Sequence, residues 1–419
     1  MKYLTNALCF SFILLISTTL CSCLKNNLVH TKTYTLERSV FKTAKEIKAD
    51  LKSGKPREIK SPGKILLFGN YIFLNEMYKG FHIIDNTNPS SPKNISFVDV
   101  PGNLDLAIKD NTLYADLYSD LIAFNISDLL NIKVSKIVGN VFGNRTYSVS
   151  GDNNKVLYDI IYHDTTITYN GELDSNSLYG RGLGILYVGQ YSSSNSVTKS
   201  NSIAGSMATF ALAGNYLYTV SPYGMNIFNI TSGDDPVLNN KLNLGLNIET
   251  IFPFKDKLFL GSPNGMYIFD IGGNPAMPVS IGSFAHARSC DPVISDEKFA
   301  YVTLHSGTRC SGFTNQLDIV QLNSFTDAQR VISYPFTSPQ GLAKDENNLF
   351  ICDGKDGLKI YDASGVPTLK LLKSIPGFEP SDVILNNHIA LVMAKDGVYQ
   401  FSYSDLNNIH LLSKIQVLN

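Results

Sequence analysis

The chain lacks several features that mark common classes of protein. It has no tryptophan, only 17% of its residues are charged, and its formal net charge is −1. With no basic run or stripe, the sequence offers no electrostatic surface for nucleic acid. After the N-terminal residues, no apolar run reaches the roughly 20 residues that a membrane-spanning helix needs.

Linear catalytic motifs are also missing. The sequence contains no G-x-S-x-G nucleophile elbow, no H-E-x-x-H metal motif and no P-loop. The segment "DGKDG" (353–357) does not fit an EF-hand, because Lys355 and Gly357 stand where oxygen ligands are needed. Any catalytic centre would have to be assembled from loops far apart in sequence. The sequence therefore favours a protein that is not an enzyme and leaves enzymatic activity open.

What the sequence has in quantity favours β-structure. The 22 Tyr and 23 Phe accompany 31 Gly and 17 Pro, in a chain of 419 residues that is 44% hydrophobic. Aromatic residues favour strands, and Gly and Pro mark turns. We expect many short strands around a large core.

The first residues have the pattern of an export signal. An apolar stretch of 14 residues (7–20) is followed by "LCSC", and such a stretch is too short to span a membrane. With Leu20 at position −3 and Ser22 at −1, Cys23 resembles the lipidated cysteine of bacterial lipoproteins. The alternative is an ordinary signal peptide or an uncleaved anchor. We expect residues 1–22 to be a lipoprotein signal peptide and Cys23 to carry the lipid.

Residues 23–60 are predicted to form a tether and N-terminal arm. Within them, residues 37–53 place apolar side chains at helical spacing. These side chains are Val40, Phe41, Ala44, Ile47 and Leu51. We expect a helix or extended arm packed on the outside of the main domain, in preference to a helix lying on a membrane surface.

From residue 61 to the C-terminus one pattern recurs. Examples are "GNYIFLNEMYKGFHIIDNTNPSSP" (69–92), "AGNYLYTVSPYGMNIFNITSGDDP" (213–236) and "ENNLFICDGKDGLKIYDASGVP" (346–367). Two apolar strands flank a short turn, and the second strand ends in a turn-forming Asp or Asn. These strand-ending residues are Asp85, Asn125, Asn229, Asp270 and Asp362. Their separations include 40 and 41 residues, and a period near 40 with four short strands per unit is typical of a β-propeller.

The number of units predicts eight four-stranded blades, with seven as the alternative. The difference rests on an irregular unit at residues 139–205, which contains an insertion at 163–182. A second insertion, at 305–316, lengthens a later unit. Both insertions are predicted to lie between the second and third strands of a blade, and hence on one face of an all-β propeller spanning residues 61–419.

Three stretches of the repeat carry a resemblance to a known family. They are residues 79–121, 290–320 and 349–363, which include "FHIID" and "LKIYD" in place of an L-V-I-V-D run. The chain resembles the LVIVD-repeat β-propeller lipoproteins of Gram-negative bacteria over roughly residues 35–419. The resemblance implies a lipid-anchored propeller in the bacterial cell envelope, either periplasmic or exposed at the surface of the outer membrane. It implies no catalytic residues.

The cysteines of the propeller region suggest a bridge. In a blade, residues just before the first strand and just after the second are neighbours, so Cys290 and Cys310 can meet, and an oxidising compartment favours a disulfide between them. Such a bridge contributes on the order of 3 kcal/mol in the chain-entropy model. The alternatives are a zinc site that adds His286 and His305, or free thiols. Cys352, inside the apolar strand "LFICD", is expected to be buried and inert.

Four acidic residues align at the starts of first strands. Asp105, Glu249, Asp291 and Asp382 are predicted to share one register and to ring one mouth of the central channel. Such a ring is a possible ligand or Ca²⁺ site, because hard cations take several oxygen ligands. The alternative is that each carboxylate caps its own loop by accepting backbone N–H bonds. No other cofactor is expected.

These features favour a membrane-anchored extracytoplasmic binding or scaffolding protein. Its partner would be an envelope or extracellular protein, a peptide or a glycan, and the protein itself would be a monomer. One alternative is a hydrolase or lyase that uses the carboxylates of the channel mouth as acid and base. Another is a structural component of the envelope.

Overall fold

The computed structural model describes residues 29–142, 155–170, 202–286, 292–306 and 314–418. The chain divides into two compact units, of which the smaller comprises Met1–Phe41 with Leu157–Val188 and the larger comprises Lys42–Val156 with Gly189–Asn419. No helix in the described ranges is long and apolar enough to cross a membrane.

The N-terminal arm is mostly extended. Strand β1 (Val29–Thr43) leads into helix α1 (Ala44–Asp50), and strand β2 (Ser53–Gly54) follows. The predicted helix over 37–53 is thus shorter than expected, because residues up to Thr43 belong to a strand. The helix starts where Thr43 and Glu46 form a capping box, in which each side chain accepts the other residue's backbone N–H.

The larger unit is built from seven four-stranded antiparallel meanders, here called blades 1 to 7, among the described residues. Blade 1 contains β3 (Pro62–Phe68), β4 (Tyr71–Glu76), β5 (Gly80–Asp85) and β6 (Lys93–Asp99). Blade 2 contains β7 (Leu106–Lys109), β8 (Thr112–Leu117), β9 (Asp120–Asn125) and β10 (Lys133–Val138). Strands β11 (Lys155–Asn170) and β12 (Ser202–Ala204) precede blade 3, which contains β13 (Phe210–Ala213), β14 (Tyr216–Ser221), β15 (Gly224–Asn229) and β16 (Val237–Asn243).

The remaining blades follow without interruption by other sheets in the described ranges. Blade 4 contains β17 (Thr250–Phe254), β18 (Lys257–Ser262), β19 (Gly265–Asp270) and β20 (Val279–Ala285). Blade 5 contains β21 (Val293–Ser295), β22 (Phe299–Leu304), β23 (Gln316–Ser324) and β24 (Asp327–Pro335). Blade 6 contains β25 (Leu342–Asp345), β26 (Asn348–Cys352), β27 (Leu358–Asp362) and β28 (Lys370–Ile375), and blade 7 contains β29 (Pro380–Asn386), β30 (Ile389–Ala394), β31 (Gly397–Ser402) and β32 (His410–Gln416).

The first strands of the blades form a closed ring. Strands β3, β7, β13, β17, β21, β25 and β29 contact one another in that order, and β29 contacts β3. The core lies between adjacent blades: Ile65 and Leu74 of blade 1, for example, share a buried cluster with Ile384 and Leu391 of blade 7. The predicted β-propeller is therefore confirmed. The favoured count of eight blades is not confirmed, since the described residues form seven four-stranded meanders.

Part of the irregular segment at residues 139–205 belongs to the smaller unit. In it, β11 pairs with β1 in a two-stranded sheet, with Thr35 Oγ1 donating to Asp164 Oδ1 at 2.7 Å. Residues 163–170 continue the strand that begins at Lys155 and do not connect the second and third strands of a blade. Residues 171–182 lie outside the described ranges. The insertion at 305–316 does join the second and third strands, β22 and β23, of blade 5.

The strand-ending Asp and Asn residues form turns, as predicted. Asp85 Oδ1 accepts from Thr87 N at 2.9 Å, and Asn229 Oδ1 accepts from Thr231 N at 2.8 Å. The same contact with the residue two positions later occurs at Asn125 and Asp362, and Asp270 accepts from Gly273. These side chains stabilise the turns in which they lie.

Candidate binding site at the upper face

We call the end of the ring at which the first strands begin the upper face. Leu106, Ile251 and Val383 occupy equivalent positions in the first strands of their blades. Each pairs with the fourth residue of the second strand of the same blade. Asp105 and Asp382 each precede an equivalent residue and share a register, whereas Glu249 lies one position earlier than predicted. Asp291 lies outside the described residues. Of the four predicted carboxylates, Asp105 and Asp382 thus occupy equivalent positions and Glu249 does not. The position of Asp291 stays a prediction.

The Asp105 carboxylate is bound by the chain itself. Its Oδ2 accepts from Lys64 Nζ at 2.7 Å, from Thr209 N at 2.6 Å, from Thr209 Oγ1 at 2.8 Å and from Phe210 N at 3.1 Å. Its Oδ1 accepts from Leu106 N at 2.8 Å. Asp105 and Lys64 are 2% and 8% exposed. Their buried ion pair links blades 1 and 2, and the hydrogen bonds from Thr209 and Phe210 add blade 3. The carboxylate faces protein donors and not an open channel.

Asp382 is also buried, but fewer hydrogen-bond donors surround its carboxylate than surround that of Asp105. Its Oδ1 accepts from Val383 N at 3.0 Å and from Ser206 N at 3.2 Å. Its Oδ2 is buried and has no hydrogen-bond partner, and a Cβ on Gly205 would lie 1.8 Å from that oxygen. Burial raises the pKa of Asp382 to about 7, although its backbone hydrogen bonds, the Ser206 hydroxyl and the nearby charge of Lys64 oppose the shift.

Residues 205–209, here called the central segment, cross the ring at this level. Before them, β12 pairs with the first strand of blade 1. Within them, Ser206 contacts Asp382 of blade 7 and its Oγ accepts from Leu342 N of blade 6 at 2.8 Å. Ala208 O accepts from Ile251 N of blade 4 at 2.8 Å. A segment bonded to first strands on several sides of the ring must pass through its centre, so the chain itself fills the channel here.

The remaining predicted site residues, which include Glu249, the histidines and the cysteines, do not form one cluster in the described ranges. Glu249 is half-buried, and burial raises its pKa to about 7. His286 follows β20 and His305 follows β22, but Cys290, Cys310 and Cys23 lie outside the described residues. The predicted disulfide, the zinc alternative and the lipidation therefore stay predictions. Cys352 is fully buried, as predicted, and burial together with the charges of Asp382 and Asp353 raises its pKa. Within the described ranges no three His, Cys, Asp or Glu residues are grouped to hold a metal ion.

A cleft of about 570 Å³ opens on the upper face between blades 1, 6 and 7, within the size range of small-ligand pockets. Its floor includes the buried side chains of Met393 and Pro380, and Met77 lies at its edge with 41% exposure. Exposed lysines also line it. The sequence carries no local signal for this cleft, because its walls come from segments about 300 residues apart.

A buried aspartate stabilises one wall of the cleft through hydrogen bonds to its backbone. Asp353 is fully buried, and its Oδ1 accepts from Thr337 N at 3.0 Å and from Ser338 N at 2.8 Å. Gly354 has a φ of 50°, and a Cβ there would lie 3.0 Å from Ser338 Cβ. The segment "DGKDG", which fails as a calcium loop, thus forms a tight turn that fixes the wall.

Comparison with known proteins supports this class of fold. No curated protein matches the chain. A computationally designed protein, Ika8, is 11% identical with a TM-score of 0.51, covering 87% of this chain and 91% of its own. The periplasmic gluconolactonase PpgL of Pseudomonas aeruginosa is 10% identical with a TM-score of 0.52, covering 84% and 96%. A protein from Lactobacillus plantarum is 12% identical with a TM-score of 0.52, covering 85% and 97%. At these identities the likeness concerns the fold alone, and the protein is a β-propeller.

The sequence match is more particular. The family model of the LVIVD repeat matches residues 62–100. This range begins with β3 and ends one residue after β6, so one repeat corresponds to one blade. The chain therefore carries an LVIVD repeat, as the resemblance of its sequence predicted.

Proposed function

We propose that the protein is an extracytoplasmic β-propeller, anchored to a membrane through a lipid on Cys23, that binds a protein, peptide or glycan on its upper face. The observation that carries the proposal is the cleft between blades 1, 6 and 7. Because the central segment fills the channel, a ligand would be held in this surface cleft and would not pass into the ring. Strand β22 ends and β23 begins at the same face, and we expect the insertion between them to extend the binding surface in a scaffolding role.

Site-specific photo-crosslinking in cells tests the proposal. A photoreactive residue at Ser61, which lines the cleft, is expected to crosslink one envelope or extracellular partner. Met77→Arg should abolish that crosslink by filling the cleft. Met277→Arg is the matched control, since Met277 is 59% exposed on a turn at the opposite face, and it should leave the crosslink intact. A crosslink that persists in Met77→Arg contradicts the proposal.

An enzyme is the second candidate, a hydrolase or lyase using carboxylates of the upper face. Glu249 supports it, because a carboxyl group with a pKa of about 7 suits general acid–base catalysis. The surroundings of Asp105 argue against an enzyme, because its carboxylate already accepts hydrogen bonds from Lys64 and Thr209. Screening against polysaccharides, phosphoesters and lactones decides the matter: turnover that is lost in Glu249→Gln would replace the binding proposal with an enzymatic one.

Two further expectations remain open to test. A purely structural envelope component would show envelope defects on deletion and would give no cleft-dependent crosslink.

Calcium at the channel mouth would raise the unfolding temperature of the protein, and Asp291→Asn should remove that rise. An unfolding temperature that does not respond to Ca²⁺ would rule the calcium site out.

A further inference from the structure

Lysines surround the cleft on the upper face. Lys60 precedes β3, Lys355 lies between β26 and β27, and Lys395 lies between β30 and β31, and all three are exposed. Among the residues that line the cleft, Glu379 is the acidic one. The lining thus carries an excess of positive charge in a chain whose formal net charge is −1.

The protein neutralises only part of this charge. In the described part of the chain, Lys355 and Lys395 form no ion pair, and Lys60 Nζ lies 3.4 Å from Glu58 with both side chains 64% exposed. An exposed pair of this kind contributes little to stability, because water screens both charges. By contrast, the neighbouring Lys359 and Lys414 are paired with aspartates of their own blades. The cleft lysines are therefore available to an incoming anion.

The floor of the cleft adds a second recognition element. Met393 and Ala394 are 3% and 2% exposed, and Met77 stands at the edge. Flexible methionine side chains adapt to varied apolar groups. None of the lining residues is aromatic, although sugar rings are usually held against flat aromatic faces. This combination fits a peptide better than a glycan.

We propose that the cleft binds an acidic peptide segment. Carboxylates of the segment pair with Lys60, Lys355 and Lys395, and one of its apolar side chains packs on Met77 and Met393. This inference rests on the proposed function, because it names the ligand chemistry of the same cleft. Charge complementarity of this kind speeds association and selects the partner.

Binding of a labelled Glu-Glu-Leu-Glu-Glu-Leu peptide to the full-length, detergent-solubilised protein tests the inference by fluorescence anisotropy. The double variant Lys355→Glu/Lys395→Glu should weaken binding by about tenfold or more, and added salt should weaken binding to the wild type. Lys133→Glu/Lys373→Glu is the matched control. It changes the net charge equally, but its two positions are exposed on the outer strands β10 and β28, so affinity should change by less than about twofold.

Four outcomes would overturn the inference. Equal weakening by both double variants would show a response to overall charge and not to the cleft. Binding of an oligogalacturonate without binding of the peptide would assign the lysines to an anionic glycan. If neither probe binds while Met77→Arg still abolishes the cellular crosslink, the acidic-peptide inference fails and the proposed function stands. If that crosslink also persists, both fail.

Discussion

Two aspartates in the same register have different surroundings, and the neighbouring blade decides the difference. Asp105 lies beside Lys64 and receives an ion pair together with four further hydrogen bonds. Asp382 lies against Gly341 and Gly205, which have no side chain to offer. One oxygen of Asp382 is consequently without a partner. The same residue type is thus a bound anion in one blade and a group with a raised pKa in another.

Asp382 should make stability depend on pH. Burial raises its pKa from 3.8 to about 7, so the folded state binds the proton more tightly than the unfolded state. The resulting stabilisation is complete below about pH 4 and is lost as the pH rises through about 7. Asp382→Asn cannot ionise. As the pH rises through that range, the free energy of unfolding of the wild type should therefore fall by about 2–4 kcal/mol more than that of Asp382→Asn.

Urea unfolding at a series of pH values measures this difference. Asp85→Asn serves as the control, because Asn occupies the same turn position in blades 2 and 3 and the hydrogen bonds to Thr87 lower the pKa of Asp85. This variant should show no such difference at alkaline pH. Parallel pH profiles for wild type and Asp382→Asn would contradict the prediction.

At the scale of elements, the central segment links blades that do not adjoin. It contacts first strands of blades 2, 4, 6 and 7, while β12 is attached to blade 1. Small side chains allow this close approach: Gly205, Ser206 and Ala208 are all buried. We expect the segment to hold the upper ends of the first strands together.

Gly205→Ala should disrupt this element. The added Cβ would lie 1.8 Å from Asp382 Oδ2, an overlap that must displace either the segment or the carboxylate. We expect a loss of about 1–3 kcal/mol in the free energy of unfolding, as for other overpacked sites. Gly365→Ala, where the nearest atom is 3.6 Å away, should be close to neutral.

A double-mutant cycle separates this clash from a general effect of alanine. In an Asp382→Ala background the clashing oxygens are gone, so Gly205→Ala should cost less than in the wild type. Equal costs in both backgrounds would show that the carboxylate is not what the glycine avoids.

At the scale of the whole molecule, blades 1 and 7 meet, and in the described residues they share no strand. The side-chain amides of Asn86 and Gln400 exchange two hydrogen bonds, at 2.9 and 2.7 Å. Leu418 N donates to Ile59 O at 2.8 Å. These contacts and the buried cluster around Ile65 close the ring between the two ends of the chain. The candidate cleft lies at this closure, so it depends on the ring being complete.

Attachment to a membrane is a property of the whole molecule and stays a prediction. Metabolic labelling with a clickable fatty acid should label the wild type and fail to label Cys23→Ser. Cys21→Ser is the matched control, since Cys21 would place Leu20 directly before the modified residue and fits the lipidation pattern less well. Label retained in Cys23→Ser would contradict the assignment.

The pattern of residues along the chain was enough to predict the strands, the turns and the β-propeller class, but not the number of blades. Turn residues such as Asp85 and Asn229 recur because each strand pair must reverse direction, and the buried strand around Cys352 is evident from its apolar run. The candidate site, by contrast, is evident only in three dimensions. The tertiary structure showed Glu249 one position out of register, it placed Gly205 in the ring centre beside Asp382, and it brought Lys60 and Lys395 to one cleft. The physical reason is that turns and strands depend on near neighbours in sequence, whereas ring closure brings together residues with no local signal of their proximity.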